Sequence, residues 1–229
     1  SEQLNIKTNP LLANINRTSN DVWGKGVVKV VQYGLNGGVC AGTETGTLPI
    51  SGENYYAQFT TTLKNLYGTI YISDKALRAS QNNTGAFVNL LNAEMESLIK
   101  ATRFNFSRML YGDGKGILAT AIDNSSGQRM IVDDTKNLMD GMIVDVYNAN
   151  ETLTECVRIS SIDREKNIVY FSRLLGGIEK GSFLTIQNSY NNELTGLGAI
   201  FKDNGNLYGL SREEHKWLIP YMKENVGEI

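Results

Sequence analysis

The stretch Thr84–Tyr111 carries the longest regular pattern of apolar residues in the sequence. Its face-forming positions recur at steps of three and four, which is the period of one helix face: Phe87, Leu91, Met95, Leu98, Thr102, Phe106 and Met109. No proline interrupts the run, and Gly112 and Gly114 can end it because glycine reaches the left-handed conformation without strain. A continuous helix here would span roughly 40 Å. We therefore predict a spine helix with one face buried against a sheet.

Two strand-like segments precede this helix and flank a glycine-rich stretch. Residues 21–33 and 55–72 are rich in β-branched and aromatic side chains, whereas residues 34–49 are too polar and flexible to hold a core. The pattern predicts a long β-hairpin with a glycine-rich tip. A lone hairpin is at best marginally stable in water, so we expect another subunit to cover it. The candidate subunit-contact residues are Gly37, Gly38, Leu48, Pro49, Tyr55 and Tyr56.

Residues 128–188 contain five short segments of strand composition separated by polar or glycine-containing turns. The predicted strands are 128–132, 141–147, 155–162, 167–172 and 183–187. Strands at this spacing suggest a small closed β subdomain. Further on, Ser211-Arg212-Glu213-Glu214 reads as a capping box, which predicts a short helix that Pro220 disturbs.

Known catalytic patterns are missing from the sequence. His215 is the single histidine, and Cys40 and Cys156 fit neither a metal spacing nor a disulfide framework, so we expect reduced thiols. The run Gly112-Asp113-Gly114-Lys115-Gly116 matches neither phosphate-loop template and follows a helix, so it is better explained as a helix stop. We therefore expect no catalytic, cofactor-binding or metal-binding residues and no cofactor. No apolar run reaches the length of a membrane span.

The basic residues on the predicted helix have two possible interpretations. The net charge of −2 and the pI near 5.6 argue against a free-standing nucleic-acid binder. Lys100, Arg103 and Ser107 nevertheless recur at three- and four-residue steps and share a stripe, with Arg108 beside it. This stripe is either a solvated polar face or a mildly positive surface that meets phosphate or an acidic partner.

Several motifs taken together resemble one protein family. They are Asn65-Leu66-Tyr67-Gly68-Thr69-Ile70, Ser73-Asp74-Lys75-Ala76, the run from Asn105 to Gly114 (Asn-Phe-Ser-Arg-Met-Leu-Tyr-Gly-Asp-Gly), and Gly116-Ile117-Leu118-Ala119. In this order, with the glycine-rich hairpin before them and the long helix between them, they resemble the tailed-phage major capsid proteins of the Hong Kong 97 type. The resemblance is good over about residues 20–120 and weaker beyond.

The resemblance implies an α+β fold of the Hong Kong 97 type, with a long spine helix, an extended β-hairpin loop and an inserted small β-barrel-like subdomain. It assigns residues 1–20 to an N-terminal arm, 21–73 to the strands and extended loop, and 74–116 to a peripheral domain with the spine helix. Residues 117–127 and 189–229 would begin an axial domain, into which 128–188 is inserted. Family members usually continue well past the position of Ile229, so the chain is expected to be truncated relative to them.

The resemblance also implies a structural protein rather than an enzyme. Its copies would form pentamers and hexamers that assemble, in the bacterial host cytoplasm, into the icosahedral head shell of a tailed phage or prophage. That virion capsid would enclose double-stranded DNA through non-specific contacts, with Lys100, Arg103 and Arg108 as inner-face basic candidates. A scaffold or a maturation protease would be a further partner, and no membrane is involved.

Two other functions stay open from the sequence. The first is a nanocompartment subunit, similar to the encapsulins, that encloses protein cargo instead of a genome. The second is a hydrolase or adhesin whose β-rich domain at 128–188 binds a ligand near His215 or near the loop from Asp133 to Asp140.

Overall fold

A computed structural model describes residues 9–17, 22–75, 78 and 84–222. The chain divides into two compact units. The sheet unit comprises Ser1–Ala13 and Leu66–Gly198, and the hairpin unit comprises Asn14–Asn65 and Ala199–Ile229. In chain order the elements are α1 (Pro10–Asn14), β1 (Val22–Trp23), β2 (Gly26–Gly34), β3 (Tyr55–Thr62), α2 (Thr84–Tyr111), β4 (Ile117–Thr120), β5 (Ser125–Ile131), β6 (Ile143–Tyr147), β7 (Leu153–Asp163), β8 (Ile168–Ile178), β9 (Phe183–Ile186), α3 (Leu197–Ile200), β10 (Asn206–Leu207), β11 (Leu210–Ser211) and a 3-10 helix (Lys216–Leu218).

The sheet unit is built on six antiparallel strands in the order β4-β9-β6-β7-β8-β5. The sheet curls until its two outer strands meet, because Ala121 and Val132 form a bridge just beyond β4 and β5. The Thr120 N–H donates to Asp133 Oδ1, and the Asp133 N–H donates to the Thr120 carbonyl, both at 2.9 Å. Each outer strand thus satisfies part of the other's exposed edge.

The core lies inside this curled sheet, where inward-facing side chains of every strand pack together. The alternation of a strand explains which residues point inward: Val169 and Phe171 of β8 are buried, whereas Tyr170 between them is half-buried. The largest members of the core with no exposed surface are Met130, Leu138, Leu184, Val132, Val144 and Val169.

All five strands predicted within 128–188 are confirmed as elements, as β5 to β9. The predicted polar turn between β7 and β8 is also present, and Asp163 Oδ1 accepts the N–H groups of Glu165 and Lys166 at 3.1 Å. The sheet extends beyond the predicted segment, since β4 and the first residues of β5 also belong to it.

The predicted fold class is wrong. The chain is mainly β, with 34% strand against 19% helix, and a curled six-stranded antiparallel sheet replaces the expected α+β fold; no Hong Kong 97-type fold is evident. A helix does cover Thr84–Tyr111, but it is not a spine, because only Met109 is buried among its described side chains. The periodic apolar positions misled the prediction: Met95 is 45% exposed, and the core consists of sheet residues instead.

The glycine run after α2 ends the helix and redirects the chain, as predicted. The Gly112 N–H donates to the Met109 carbonyl at 3.1 Å, and Gly114 and Gly116 have φ of +91° and +79°. Gly116 lies closely packed, since a Cβ there would come within 2.9 Å of the Ser189 carbonyl oxygen. Glycine is therefore required at Gly116 for both backbone conformation and space.

The hairpin unit holds a three-stranded antiparallel sheet in the order β1-β2-β3. The second predicted strand, 55–72, is too long, because β3 ends at Thr62 and residues 63–73 form no strand. The predicted capped helix after Ser211 is also wrong. Ser211 Oγ accepts the Glu213 N–H at 3.2 Å in a local turn, and up to residue 222, where the described part ends, only the 3-10 helix Lys216–Leu218 follows.

The predicted division into arm, loop, peripheral, axial and inserted regions stays a prediction. Of the first 20 residues, 1–8 and 18–20 lie outside the described part. Within that part, Asn9 Oδ1 accepts the Leu12 N–H at 3.1 Å and so caps the start of α1.

Candidate subunit-contact surface

The hairpin formed by β2 and β3 has two faces of different character. Its register pairs Val31 with Ala57 and Lys29 with Phe59, and side chains alternate between faces along each strand. The face that carries Ala57 and Phe59 is covered within the hairpin unit, and Ala57 is buried. The opposite face is open to solvent.

This open face is defined by three exposed apolar side chains, Val28, Val30 and Tyr56, each of which lies opposite a polar residue. Val28 is 48% exposed, Val30 62% and Tyr56 60%. The register places Val28 opposite Thr60, Val30 opposite Gln58 and Gln32 opposite Tyr56, so the three apolar side chains lie on neighbouring pairs of one surface. Several exposed apolar side chains grouped on one surface indicate a candidate site for contact with another protein.

The loop between the strands, residues 35–54, adds a second set of exposed apolar side chains. Four of them have more than 85% of their surface in water: Leu35, Val39, Leu48 and Ile50. The loop is nevertheless ordered at its base. Asn36 Oδ1 accepts the N–H of Gly38 at 2.9 Å and that of Gly52 at 3.1 Å, which ties the outgoing and returning chains together.

The structure places all six sequence-predicted contact residues on this hairpin and its loop. Gly37, Leu48 and Pro49 are exposed in the loop, and Gly38 beside them is half-buried. Tyr55 and Tyr56 begin β3 and point to opposite faces, with Tyr56 on the open face. Tyr55 is 59% exposed and stacks on Tyr33, with 5.8 Å between the ring centroids.

The covered face of the hairpin packs against residues 199–218, which we call the brace. Tyr33 stacks on Trp217 at 5.2 Å with an interplanar angle of 13°, and Phe59 packs edge-on to Tyr208 at 6.0 Å. The Thr60 N–H donates to the Tyr208 carbonyl at 2.8 Å, so one outer-edge group of β3 is also satisfied. The sequence reading missed the brace, although the local density of Tyr208, His215 and Trp217 was a signal for it.

The three basic candidates on α2 occupy different surroundings. Lys100 is exposed and Arg103 is half-buried. Arg108 is directed inward, and its guanidinium forms a bidentate ion pair with the buried Glu193. The stripe of Lys100 and Arg103 stays a prediction, whereas Arg108 is engaged within the sheet unit.

The residues considered for a hydrolase or ligand site belong to different compact units, His215 to the hairpin unit and the loop from Asp133 to Asp140 to the sheet unit. His215 packs edge-on against Tyr33 and Trp217, at 5.9 and 6.0 Å. In the loop from Asp133 to Asp140, the Asp134 carboxylate pairs with Lys136, whose hydrogen bond and charge lower the pKa of that carboxyl. No group of three metal-ligating side chains occurs among the described residues.

A cavity of about 230 Å³ opens at the ends of β6, β7 and β8 in the sheet unit. Glu155 lines it, but this carboxylate accepts the Gly176 N–H at 3.1 Å and pairs with Arg173 at 3.3 Å. The cavity wall is mixed, since Val146, Leu175 and Ile178 also line it, and the Glu155 carboxylate already has partners inside the protein.

Comparison of this chain with protein-family models, curated proteins and solved structures gave no match. In the described part of the chain, no helix combines the length and the apolar character needed to cross a bilayer. The exposed apolar side chains of the β2–β3 hairpin and its loop form the candidate subunit-contact surface.

Proposed function

We propose that this chain is a structural subunit that self-assembles through its β2–β3 hairpin, as the major capsid protein of a tailed phage or prophage head that encloses double-stranded DNA. The observation that carries the proposal is the exposure of the hairpin's apolar side chains, in particular Leu48 and Ile50 at 86% and 92%. The motif resemblance between residues 65 and 119 supports the capsid class, and the proposal does not depend on the fold first expected.

Leaving these apolar side chains in water costs free energy that a contact with another subunit would recover. Burying one aliphatic side chain of this size yields about 1.5–3 kcal/mol. Leu48 and Ile50 together can therefore supply a few kcal/mol to each contact, before ordering costs are subtracted. In a closed shell every subunit repeats the contact, so modest pairwise affinity is sufficient for assembly.

Assembly is tested by particle size, measured by light scattering and electron microscopy over a range of protein concentrations. The native sequence is compared with Leu48→Ser/Ile50→Ser, which keeps the loop length, and with a chain lacking 39–51. The matched control is Leu153→Ser, which changes an aliphatic side chain that is 50% exposed in the sheet unit. We expect closed shells for the native and control chains, and only small species for both loop variants.

A native chain that stays monomeric at high concentration would contradict the proposal, as would loop variants that assemble like the control. Nuclease-protected nucleic acid in shells from infected or induced cells then separates a genome shell from a protein-cargo compartment. Shells that protect no DNA and carry a defined protein would replace the capsid assignment by the nanocompartment.

A further inference from the structure

The brace is held together by one buried side chain, Arg212, which has only 2% of its surface exposed. Its guanidinium donates to four backbone carbonyl oxygens: Ala199 at 2.8 Å, Ile200 and Asn204 at 3.1 Å, and Leu218 at 3.4 Å. These acceptors come from both ends of the brace. A planar fork of donors is well suited to join several carbonyls in one place.

The brace contains little regular structure that could hold it without this side chain. Its strands β10 and β11 are two residues each, and its remaining described element is a three-residue 3-10 helix together with the end of α3. Elements this short are not stable on their own. Arg212 therefore supplies the connection that short strands cannot.

Tyr208 and Trp217, two of the rings through which the brace contacts the hairpin, lie close to groups that Arg212 fixes. The turn between β10 and β11 carries Tyr208, and the backbone N–H of Arg212 donates to the Gly205 carbonyl just before β10. On the other side, Leu218, which Arg212 holds through its carbonyl, directly follows Trp217. Movement of either end would displace a ring that packs on Tyr33 or Phe59.

The turn at Tyr208 is itself strained in a way that fits this role. Tyr208 and Gly209 have φ of +49° and +87°, so two consecutive residues occupy the left-handed region. That conformation suits glycine or asparagine at the first position, and it costs a tyrosine roughly 1 kcal/mol. Two contacts offset this conformational cost. The Tyr208 ring packs on Phe59, and the Tyr208 carbonyl accepts the Thr60 N–H.

We propose that Arg212 is the positioning residue of the subunit-contact surface: it closes the brace, whose Tyr208 and Trp217 hold the β2–β3 hairpin in the shape that a second copy of this chain recognises. This inference rests on the proposed function, since it assigns a role within the same contact. In this proposal Arg212 does not itself contact the second copy of the chain. It acts through Trp217 and Tyr208 on the covered face, while the open face and the loop make the contact.

The test combines two substitutions in a double-mutant cycle, Arg212→Lys and Trp217→Leu, in the full chain with Trp23→Phe so that Trp217 is the single tryptophan. Lysine keeps the charge but cannot join carbonyls as a fork. We expect Arg212→Lys to raise the concentration needed for assembly about tenfold, because hydrogen bonds to a charged group are lost. Near-ultraviolet circular dichroism of the stacked Tyr33–Trp217 pair should weaken in parallel.

The cycle separates positioning from a general loss of stability. Because Arg212 acts partly through Trp217, the assembly defect of the double variant should be smaller than the sum of the defects of Arg212→Lys and Trp217→Leu. Effects that add fully would overturn the proposal, as would normal assembly of Arg212→Lys. If the loop variants of the previous section assemble normally while Arg212→Lys still alters the Trp217 spectrum, the self-assembly proposal fails and the role of Arg212 in holding the hairpin stands.

Discussion

The guanidinium of Arg108 and the carboxylate of Glu193 form two hydrogen bonds, at 2.8 and 2.5 Å, although the residues are 85 positions apart in the sequence. Their side chains are only 8% and 2% exposed. This pair joins the last turns of α2 to the segment that follows β9, within the sheet unit. Each residue of such a pair stabilises the other, because either charge alone would be buried without water or a counter-ion to solvate it.

We expect Arg108→Met to destabilise the protein by about 3–5 kcal/mol, since it leaves the Glu193 carboxylate buried and unpaired. Arg108→Met combined with Glu193→Leu should recover much of that loss. Urea unfolding followed by circular dichroism measures both. Lys136→Ala is the control, because its pair with Asp134 is largely exposed and should contribute under 1 kcal/mol. If the single and double variants lose the same free energy of unfolding, then Arg108 and Glu193 do not depend on each other in this way.

Substitution of Gly116 by alanine should be more harmful than the same change at Gly127. Both residues have left-handed backbones, with φ of +79° and +85°. At Gly127 an added Cβ meets nothing within 4 Å, whereas at Gly116 it meets the Ser189 carbonyl at 2.9 Å and the Glu193 side chain at 3.0 Å. We expect a loss of about 1 kcal/mol for Gly127→Ala and about 2–4 kcal/mol for Gly116→Ala, measured by thermal or urea unfolding. Indistinguishable midpoints would contradict the close packing.

The open face should contribute to assembly without contributing to the stability of the single chain. Val30→Thr keeps the β-branched shape of a side chain that is 62% exposed, so the unfolding midpoint should barely change. If Val30→Thr weakens the free energy of each subunit contact by about 1 kcal/mol, the protein concentration needed for assembly rises about fivefold. Ile143→Thr, at a position 49% exposed in the sheet unit, is the control. If both variants assemble alike, the open face is not part of the contact.

Alkaline pH should destabilise the sheet unit. Burial, reinforced by the neighbouring Asp145 carboxylate, raises the pKa of the Cys156 thiol above 9.0 and the pKa of Tyr147 above 10.0. Both groups stay neutral to a higher pH in the folded chain than in the unfolded one. Their contribution to stability is therefore complete below pH 9 and is lost as the pH rises through the raised values. Unfolding midpoints between pH 8 and 11 measure this loss.

Cys156→Ala provides the comparison for this pH dependence. The variant should lose less stability between pH 9 and 10 than the native chain, because one group with a raised pKa is gone. Cys40→Ala, which removes the exposed thiol of the loop, should leave the profile unchanged. A native profile that is flat over this range would contradict the assigned direction of the pKa shifts.

Local sequence patterns were sufficient to locate strands β5 to β9, but they missed β4 and did not show how the strands combine. Alternation and turn residues identified the β5–β9 region, because strand period and turn chemistry act over a few neighbours. The helix over Thr84–Tyr111 shows the limit of such patterns. Its apolar period is real, yet whether a periodic face is buried depends on what packs against it, and here the curled sheet forms its own core.

For the candidate surface too, the sequence indicated exposed residues but not contacts between distant parts of the chain. Tyr56 and Leu48 were identified because apolar residues in a glycine-rich hairpin lack neighbours to cover them. Arg108 was assigned to a charged surface, since nothing in its local sequence reveals Glu193 so far along the chain. Arg212 was read as part of a capping box for the same reason: its four carbonyl partners come together only through the tertiary fold.

The side chain of Asn36 has a consequence for the evolution and use of this hairpin. By accepting the N–H groups of Gly38 and Gly52, it closes the loop at its base, and the residues between those glycines lie beyond this closure. Gly42, where an added Cβ meets nothing within 4 Å, lies within that interval. A foreign peptide inserted there would be presented at the outermost part of the hairpin while the strand pairing is retained. The interval is thus a natural position for sequence divergence, and a suitable one for epitope display.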